Sequence, residues 1–391
     1  MSHTAYTLYS WLWDGSNQKV GLLGAVFSFF ITTLVISLWQ HWTLRKSRKP
    51  IPPLPPGPRG LPLVGYLLFL GTNLHMVFSE LAGIYCPIFK LWLGNKLFVV
   101  ISSPLIAKKV VRVQDKTFSE RDPPISAQII ACGCMILHLT LTAEKDDTTS
   151  EQKDFLQFLL ELKDNEGSAS PITMNQLKGM LMDLLVGGTD TTSTMMEWTM
   201  AELIQHPEIM KKVKKELADV VGLNSTVEEG HLPNLLYLHA VIKETFRLHP
   251  PLPLLVPRCP SVSSTVGGYT IPKGSRVFLN IWSFHRDPNI WDNPLEFQPE
   301  RFLNDPNKFD YNGNEIRYMP FGSGRRRCLG LPLGEKMLYF MLASLLHSFE
   351  WKLPQGTEHD MSSKFGIVMK KKKPLLLIPT SSLPNLELYK K

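Results

Sequence analysis

The chain has 391 residues, 44 % of them hydrophobic, enough to bury one large core or two ordinary ones. Net charge is +7, concentrated at Arg45–Lys49, Arg325–Arg327 and Lys370–Lys373 without interleaved aromatics, so nucleic acid is excluded and a membrane surface or acidic protein is expected. Five scattered cysteines (Cys86, Cys132, Cys134, Cys259 and Cys328) exclude a disulfide framework and point to a reducing compartment.

In chain order, a short segment, 1–19, precedes an apolar run. From Val20 to Leu38 no residue is charged, and about 20 such residues span the roughly 30 Å of a bilayer core as a helix. Trp39 and Trp42 suit the interface, and Arg45, Lys46, Arg48 and Lys49 follow at once. Residues 20–42 therefore read as a transmembrane anchor, with segment 1–19 lumenal and the body cytoplasmic. The run is too long, and lacks a small-residue cleavage site, for a cleaved signal peptide. Pro52-Pro53-Leu54-Pro55-Pro56-Gly57-Pro58 is stiff and extended, making 43–60 a basic, proline-rich hinge ahead of the body, 61–391.

Within the body, Ile88–Leu93 and Leu97–Ile101 flank Gly94-Asn95 and predict a β-hairpin. Thr173-Met174-Asn175-Gln176 fits a capping box opening a long helix towards Gln205. Inside it, Gly187-Gly188-Thr189-Asp190-Thr191-Thr192 interrupts an apolar run. Paired glycines weaken a helix by roughly 1 kcal/mol each, and threonine hydroxyls can take freed carbonyls, so a local opening is expected; a tolerated packing contact is the plain alternative. Glu208–Val221 is amphipathic and lysine-rich, and Leu235–Leu248 is a further helix stopped by Pro250-Pro251. In Glu244-Thr245-Phe246-Arg247 acid and base stand at i and i+3 on one face, a spacing that chance alone also supplies. Short strands and proline-rich loops follow.

Then comes Pro320-Phe321-Gly322-Ser323-Gly324-Arg325-Arg326-Arg327-Cys328-Leu329-Gly330, opening a helix from Leu331 to Phe349. Glycines at 322, 324 and 330 allow close backbone approach to a bulky planar ligand. Backbone N–H groups at the helix start favour thiolate at Cys328, and a thiolate is a haem-iron ligand that favours O–O cleavage. Arg326 offers a charge to a carboxylate.

This Phe-x-x-Gly-x-Arg-x-Cys-x-Gly loop resembles the haem-binding loop of plant-type microsomal cytochromes P450, and the proline hinge resembles theirs. The resemblance implies a mainly α fold with small β-sheets (α+β), haem b (iron protoporphyrin IX) and a monooxygenase of the endoplasmic reticulum membrane. O2, a lipophilic small molecule and NADPH–cytochrome P450 reductase would be its partners. It makes Cys328 the axial ligand, within a cofactor contact set of Phe321, Gly324, Arg326, Gly330 and Arg258, with Arg326 and Arg258 on the propionates. Thr191 would steady dioxygen and Asp190 would relay protons. Glu244 and Arg247, joined by Arg301 of Pro299-Glu300-Arg301-Phe302, would form a structural cluster. Leu254, Leu255, Val256, Phe365 and Ile367 would line the substrate pocket.

The resemblance covers about Pro52–Asp122 and Lys153–Lys373, and the chain is roughly 100 residues short of a full-length member. The break lies between about 127 and 150, where the C to G helices and a Trp-x-x-x-Arg propionate clamp are expected. Trp282 and Arg286 match that pattern by coincidence. Cys132 and Cys134 lack the partners of a metal site. Two further readings stay open: a truncated, non-catalytic membrane-anchored product, and a non-haem cysteine enzyme, which no motif-positioned histidine base supports.

Overall fold

The computed structural model describes residues 18–45, 52–122, 155–164, 172–304 and 309–389. Segment 1–17, the expected break, Cys132 and Cys134 lie outside them. Helix α1 covers Gln18–Arg45, the stretch read as the anchor. Its described side chains, 26–39, are almost all exposed. Among the described residues no helix is long and apolar enough to cross a membrane.

The hinge is fastened to the body. Lys90 donates its backbone N–H to Pro56 O at 2.8 Å, and Thr270 donates its own to Pro53 O at 2.8 Å. A Cβ on Gly57 would lie 1.9 Å from Lys90 O, so only glycine passes there. Helix α2, Leu74–Ile84, leads into the hairpin of β1, Ile88–Leu93, and β2, Lys96–Ile101, paired antiparallel about a turn with Gly94 at φ +59°. Strand β5, Arg276–Leu279, joins β2 in parallel and completes a three-stranded sheet. The strands β3, Ser264–Val266, and β4, Tyr269–Ile271, form a separate small hairpin.

Helices supply most of the body. After α3, Phe155–Asp164, the capping box opens α4, Met174–Gln205: Gln176 donates its N–H to Thr173 Oγ1 at 3.2 Å, and Thr173 donates its own to Gln176 Oε1 at 2.6 Å. In α5, Pro207–Val221, Val213, Leu217 and Val221 recur every four residues and are buried. Glu216 of α5 accepts from the N–H groups of Tyr237 and Leu238, capping α6, Leu236–Leu248. The last long helix, α7, covers Leu331–Ser348 and ends in strand β6, Phe349–Lys352, which pairs with β9, Ile378–Ser381. Between them β7, Ser363–Lys364, pairs with β8, Lys370–Lys371. One buried cluster unites α4 to α7 through residues such as Met195, Leu217, Val241 and Leu342, and a second sits on the sheet around Val99, Val277 and Phe284.

Candidate active site

The cysteine loop is built by two positive-φ glycines. Gly322 has φ +75° and Gly324 φ +69°, and a Cβ on Gly324 would lie 2.3 Å from Val111 O. A Cβ on Gly330 would meet Cys328 Sγ at an ordinary 3.9 Å, so the protein's own packing does not require glycine there. Cys328 donates its N–H to Phe321 O at 2.9 Å, closing the loop. Ser323 Oγ donates to Gly313 O at 2.8 Å, and Arg325 N donates to Asp115 Oδ2 at 2.9 Å.

Cys328 is exposed as a residue, yet protein crowded about its sulfur pushes the thiol up. The N–H groups of Gly330 and Leu331 and the charge of Arg327 pull the other way but are outweighed. The helix start favours thiolate, as its N–H groups were expected to, but among the protein's own groups burial is the larger effect. An iron ion at the sulfur would reverse that balance, because a coordinating thiol loses its proton outright.

Three guanidinium groups converge beside the loop. Arg326 Nε donates to Ser119 O at 2.5 Å. Arg258, 3 % exposed, donates through Nη2 to Ser323 O at 2.7 Å and through Nη1 to Asp115 Oδ1 at 3.2 Å. Arg121 donates through Nη1 to the carbonyls of Val256 and Pro257, each at 2.6 Å. Burial, then the charges of Arg258 and Arg326, bring Arg121 down to about 9. Its buried Nε has no partner. A crowded cationic cluster with an unpaired donor suits a ligand carrying two carboxylates. Arg121 escaped the sequence reading because a lone arginine between Glu120 and Asp122 belongs to no period or motif.

Below the loop, Arg247 forks onto Glu244, Nε to Oε2 at 2.7 Å and Nη2 to Oε1 at 2.8 Å, with both side chains fully buried. Arg301 Nε adds a bond to Glu244 Oε1 at 3.1 Å. Backbone carbonyls of His285, Pro294 and Glu296 take the remaining donors of Arg247. Arg286 stacks over Trp282 at 4.2 Å, near Arg247 and Glu244, with both side chains half-buried.

The glycine pair does not open α4. The helix runs unbroken, and the Thr191 hydroxyl donates to Gly187 O at 2.6 Å, as Thr189 does to Leu185 O at 2.5 Å. The hydroxyls add second bonds to carbonyls already in the ladder. Asp190 Oδ1 lies 2.5 Å from Lys370 Nζ on β8. Met195, one turn past Thr191, and Leu331, three residues past Cys328, share one buried cluster.

The expected pocket lining divides. Leu254 is 4 % exposed and packs with Phe78 and Phe89 in the core, so it is not available as lining. Leu255, at φ +51°, approaches Gly322, Phe365 stacks on His75, and Val256 and Ile367 are exposed. A cavity of about 480 Å³ between α4, α7 and β8, touched by Thr194, Met200, Leu345 and Lys370, includes neither Cys328 nor any of these five.

A mainly α body that places a cysteine ahead of a helix start, near a crowded arginine cluster, matches the haem-thiolate class of protein. The family model described as Cytochrome P450 matches residues 55–141 and 135–378, two stretches that meet at 135–141. The chain belongs to the cytochrome P450 family, whose cofactor is haem. It is 42 % identical over 247 residues to a carnosic acid synthase of Rosmarinus officinalis, covering 62 % of this chain and 48 % of that one. It is 30 % identical to a flavonoid 3'-monooxygenase of Crocosmia x crocosmiiflora over 501 positions, 92 % of this chain and 99 % of the relative. That pairing is 110 positions longer than the chain itself. For most such relatives the chain spans about half their length. Among solved structures, a zebra fish cytochrome P450 with abiraterone aligns at a TM-score of 0.69 and 21 % identity, over 80 % of this chain and 100 % of that one. The likeness extends to the fold.

Proposed function

We propose that this chain is a plant-type microsomal haem-thiolate monooxygenase that inserts one atom of O2 into a lipophilic small molecule, using NADPH electrons delivered by NADPH–cytochrome P450 reductase. One observation carries the reading: Cys328 opens α7 beside the converging guanidinium groups of Arg121, Arg258 and Arg326. Haem, when bound, supplies the oxidation chemistry. Cys328 would hold its iron, and the three arginines its propionates. The N–H groups of Gly330 and Leu331 and the Arg327 charge offset part of the cost of charge on the sulfur. Asp190, paired with Lys370 at the surface, would relay protons, and Thr191, whose hydroxyl donates to Gly187 O, would steady dioxygen. Leu255, Val256, Phe365 and Ile367 would line the substrate side. Relatives named as flavonoid hydroxylases and carnosic acid synthases support a lipophilic substrate and a role in secondary metabolism. The uncharged run Val20–Leu38, the aromatic pair and the basic run of the sequence support single-pass anchoring in the endoplasmic reticulum membrane, with the body in the cytoplasm.

A second reading, a truncated product that keeps the motifs without catalysis, is favoured by two observations. The family match falls in two stretches, and Leu184, Leu185 and Val186 of α4 are exposed by 45 to 61 %. Such an apolar face favours association, and an open site lets water reach the iron. Pyridine haemochrome assay of the purified chain decides first, since a chain without haem cannot turn over. Reduction under carbon monoxide, then product measured per NADPH consumed, decides next. A stable thiolate-type band with coupled product overturns the truncated reading; weak haem retention with uncoupled NADPH consumption overturns the first.

A further inference from the structure

The cavity of about 480 Å³ between α4, α7 and β8 is not bordered by Cys328, yet its volume falls in the roughly 300–1,000 Å³ range of small-molecule sites. On its wall, Ser193 and Glu197 stand two positions on from Thr191 and Met195. Two positions are about 200° round a helix, so this wall and the Thr191 side of α4 look opposite ways.

The lining selects a ligand by its chemistry. Met196, Met200 and Trp351 supply much of the apolar wall, and Met196 and Trp351 pack in turn against the main core. Trp351 Nε1 donates to Leu345 O at 3.0 Å, which holds the indole in place. Thioethers and an indole favour an aromatic body. Among the polar groups, Glu197 accepts the Leu375 N–H on Oε1 at 2.8 Å, and its carboxylate has further acceptor sites. Lys370 gives one of its ammonium protons to Asp190 and has others to give. A ligand carboxylate would meet the charge of Glu197, and a ligand ammonium would meet that of Lys370. An uncharged hydroxyl suits both, since it donates to a carboxylate and accepts from an ammonium.

The same wall holds Asp190. Ser193 Oγ donates to Asp190 O at 3.2 Å, Thr194 Oγ donates to it at 2.7 Å, and Lys370 pairs with the Asp190 carboxylate. We propose that this cavity is an effector site for a neutral hydroxylated aromatic molecule, whose occupancy is felt at Asp190 through Ser193, Thr194 and Lys370. Because ligand and carboxylate share these contacts, each alters the other's binding equilibrium reciprocally. An effect on turnover through Asp190 rests on the haem-thiolate reading; binding itself does not.

The test therefore needs no haem. Equilibrium dialysis of the purified full chain at neutral pH, against a matched detergent blank, takes β-naphthol, β-naphthoate and β-naphthylmethylammonium as probes. A single β-naphthol should bind per chain, about tenfold more tightly than either ion. Met196→Trp, which fills the space with a larger ring, should abolish binding. Glu197→Gln keeps an acceptor for the Leu375 N–H but removes the charge, so β-naphthoate should gain about fivefold. Asp190→Asn should shift β-naphthol affinity by about fivefold, and Glu208→Gln on the exposed side of α5 should leave it unchanged. If Met196→Trp fails to fold, the Glu197→Gln gain decides in its place. The proposal is overturned by absence of β-naphthol binding, by undiminished binding in folded Met196→Trp, by an ion that binds as tightly as the phenol, or by an affinity that Asp190→Asn does not move. Absence of binding together with concentration-dependent self-association in sedimentation velocity would give this face to a second copy of the chain, and overturns it equally.

Discussion

Arg258 donates to the carbonyl of Ser323 at 2.7 Å across a separation of 65 residues, fastening the loop before β3 directly to the turn that presents Cys328. The same guanidinium holds Asp115, which in turn accepts from Arg325 N. Strand end, basic loop and cysteine turn are therefore one charged joint.

Arg258→Gln should loosen this joint. Hydrogen bonds to a charged group contribute about 1.5–3 kcal/mol, so bound haem should fall with only partial loss of fold stability. Haemochrome content and a urea titration on the same sample check this. Unchanged haem content would remove Arg258 from the cofactor site.

Cys328→Ala should abolish any thiolate-type spectrum of the reduced carbon monoxide complex. No other described cysteine stands at a helix start: Cys259 is buried with its thiol pushed up, and Cys86 lies just past the end of α2. Retention of the spectrum would move the axial ligand elsewhere.

Glu244→Ala leaves Arg247 buried and uncompensated, so unfolding free energy should drop by about 3–5 kcal/mol. Glu208→Ala, which breaks the exposed pair with Lys211, should cost about 1 kcal/mol or less. Equal effects in urea denaturation would deny the buried cluster its structural role.

Acidification should weaken the fold through its histidines. Burial is the first cause that holds His75 and His239 down to about 4 and His285 to about 3. Unfolded histidines titrate near 6.5 and bind protons that the folded ones refuse. Their contribution is therefore complete above that value and is lost as pH falls towards 4. The slope is at most about 1.4 kcal/mol per pH unit for each histidine. Urea midpoints measured from about pH 7 to pH 4.5 should decline, and His285→Gln should flatten the trend. A midpoint that rises on acidification contradicts it.

Deleting residues 1–42 should move the protein from the membrane to soluble or peripheral fractions, because it removes the proposed anchor, the uncharged run Val20–Leu38. Resistance of the shortened chain to carbonate extraction would end the single-anchor reading.

Much of the site was legible where its cause is local. The capping box at Thr173, the hairpin about Gly94 and the i, i+3 pair Glu244–Arg247 follow from neighbours along the chain, and each formed as spaced. Leu254 misled because an apolar residue suits a core and a pocket equally, and only packing against Phe78 and Phe89 separates them. The Gly187-Gly188 pair misled because threonine hydroxyls reinforced the helix where an opening was expected.

The sequence by itself determined the cysteine loop, the helices on either side of it and the family, since spacing, capping and turn rules act over a few residues. Only the tertiary arrangement decided that Arg121, Arg258 and Arg326 converge and that burial outweighs the helix start at Cys328. Charge crowding and desolvation sum over residues far apart in the chain, and no local pattern records that sum.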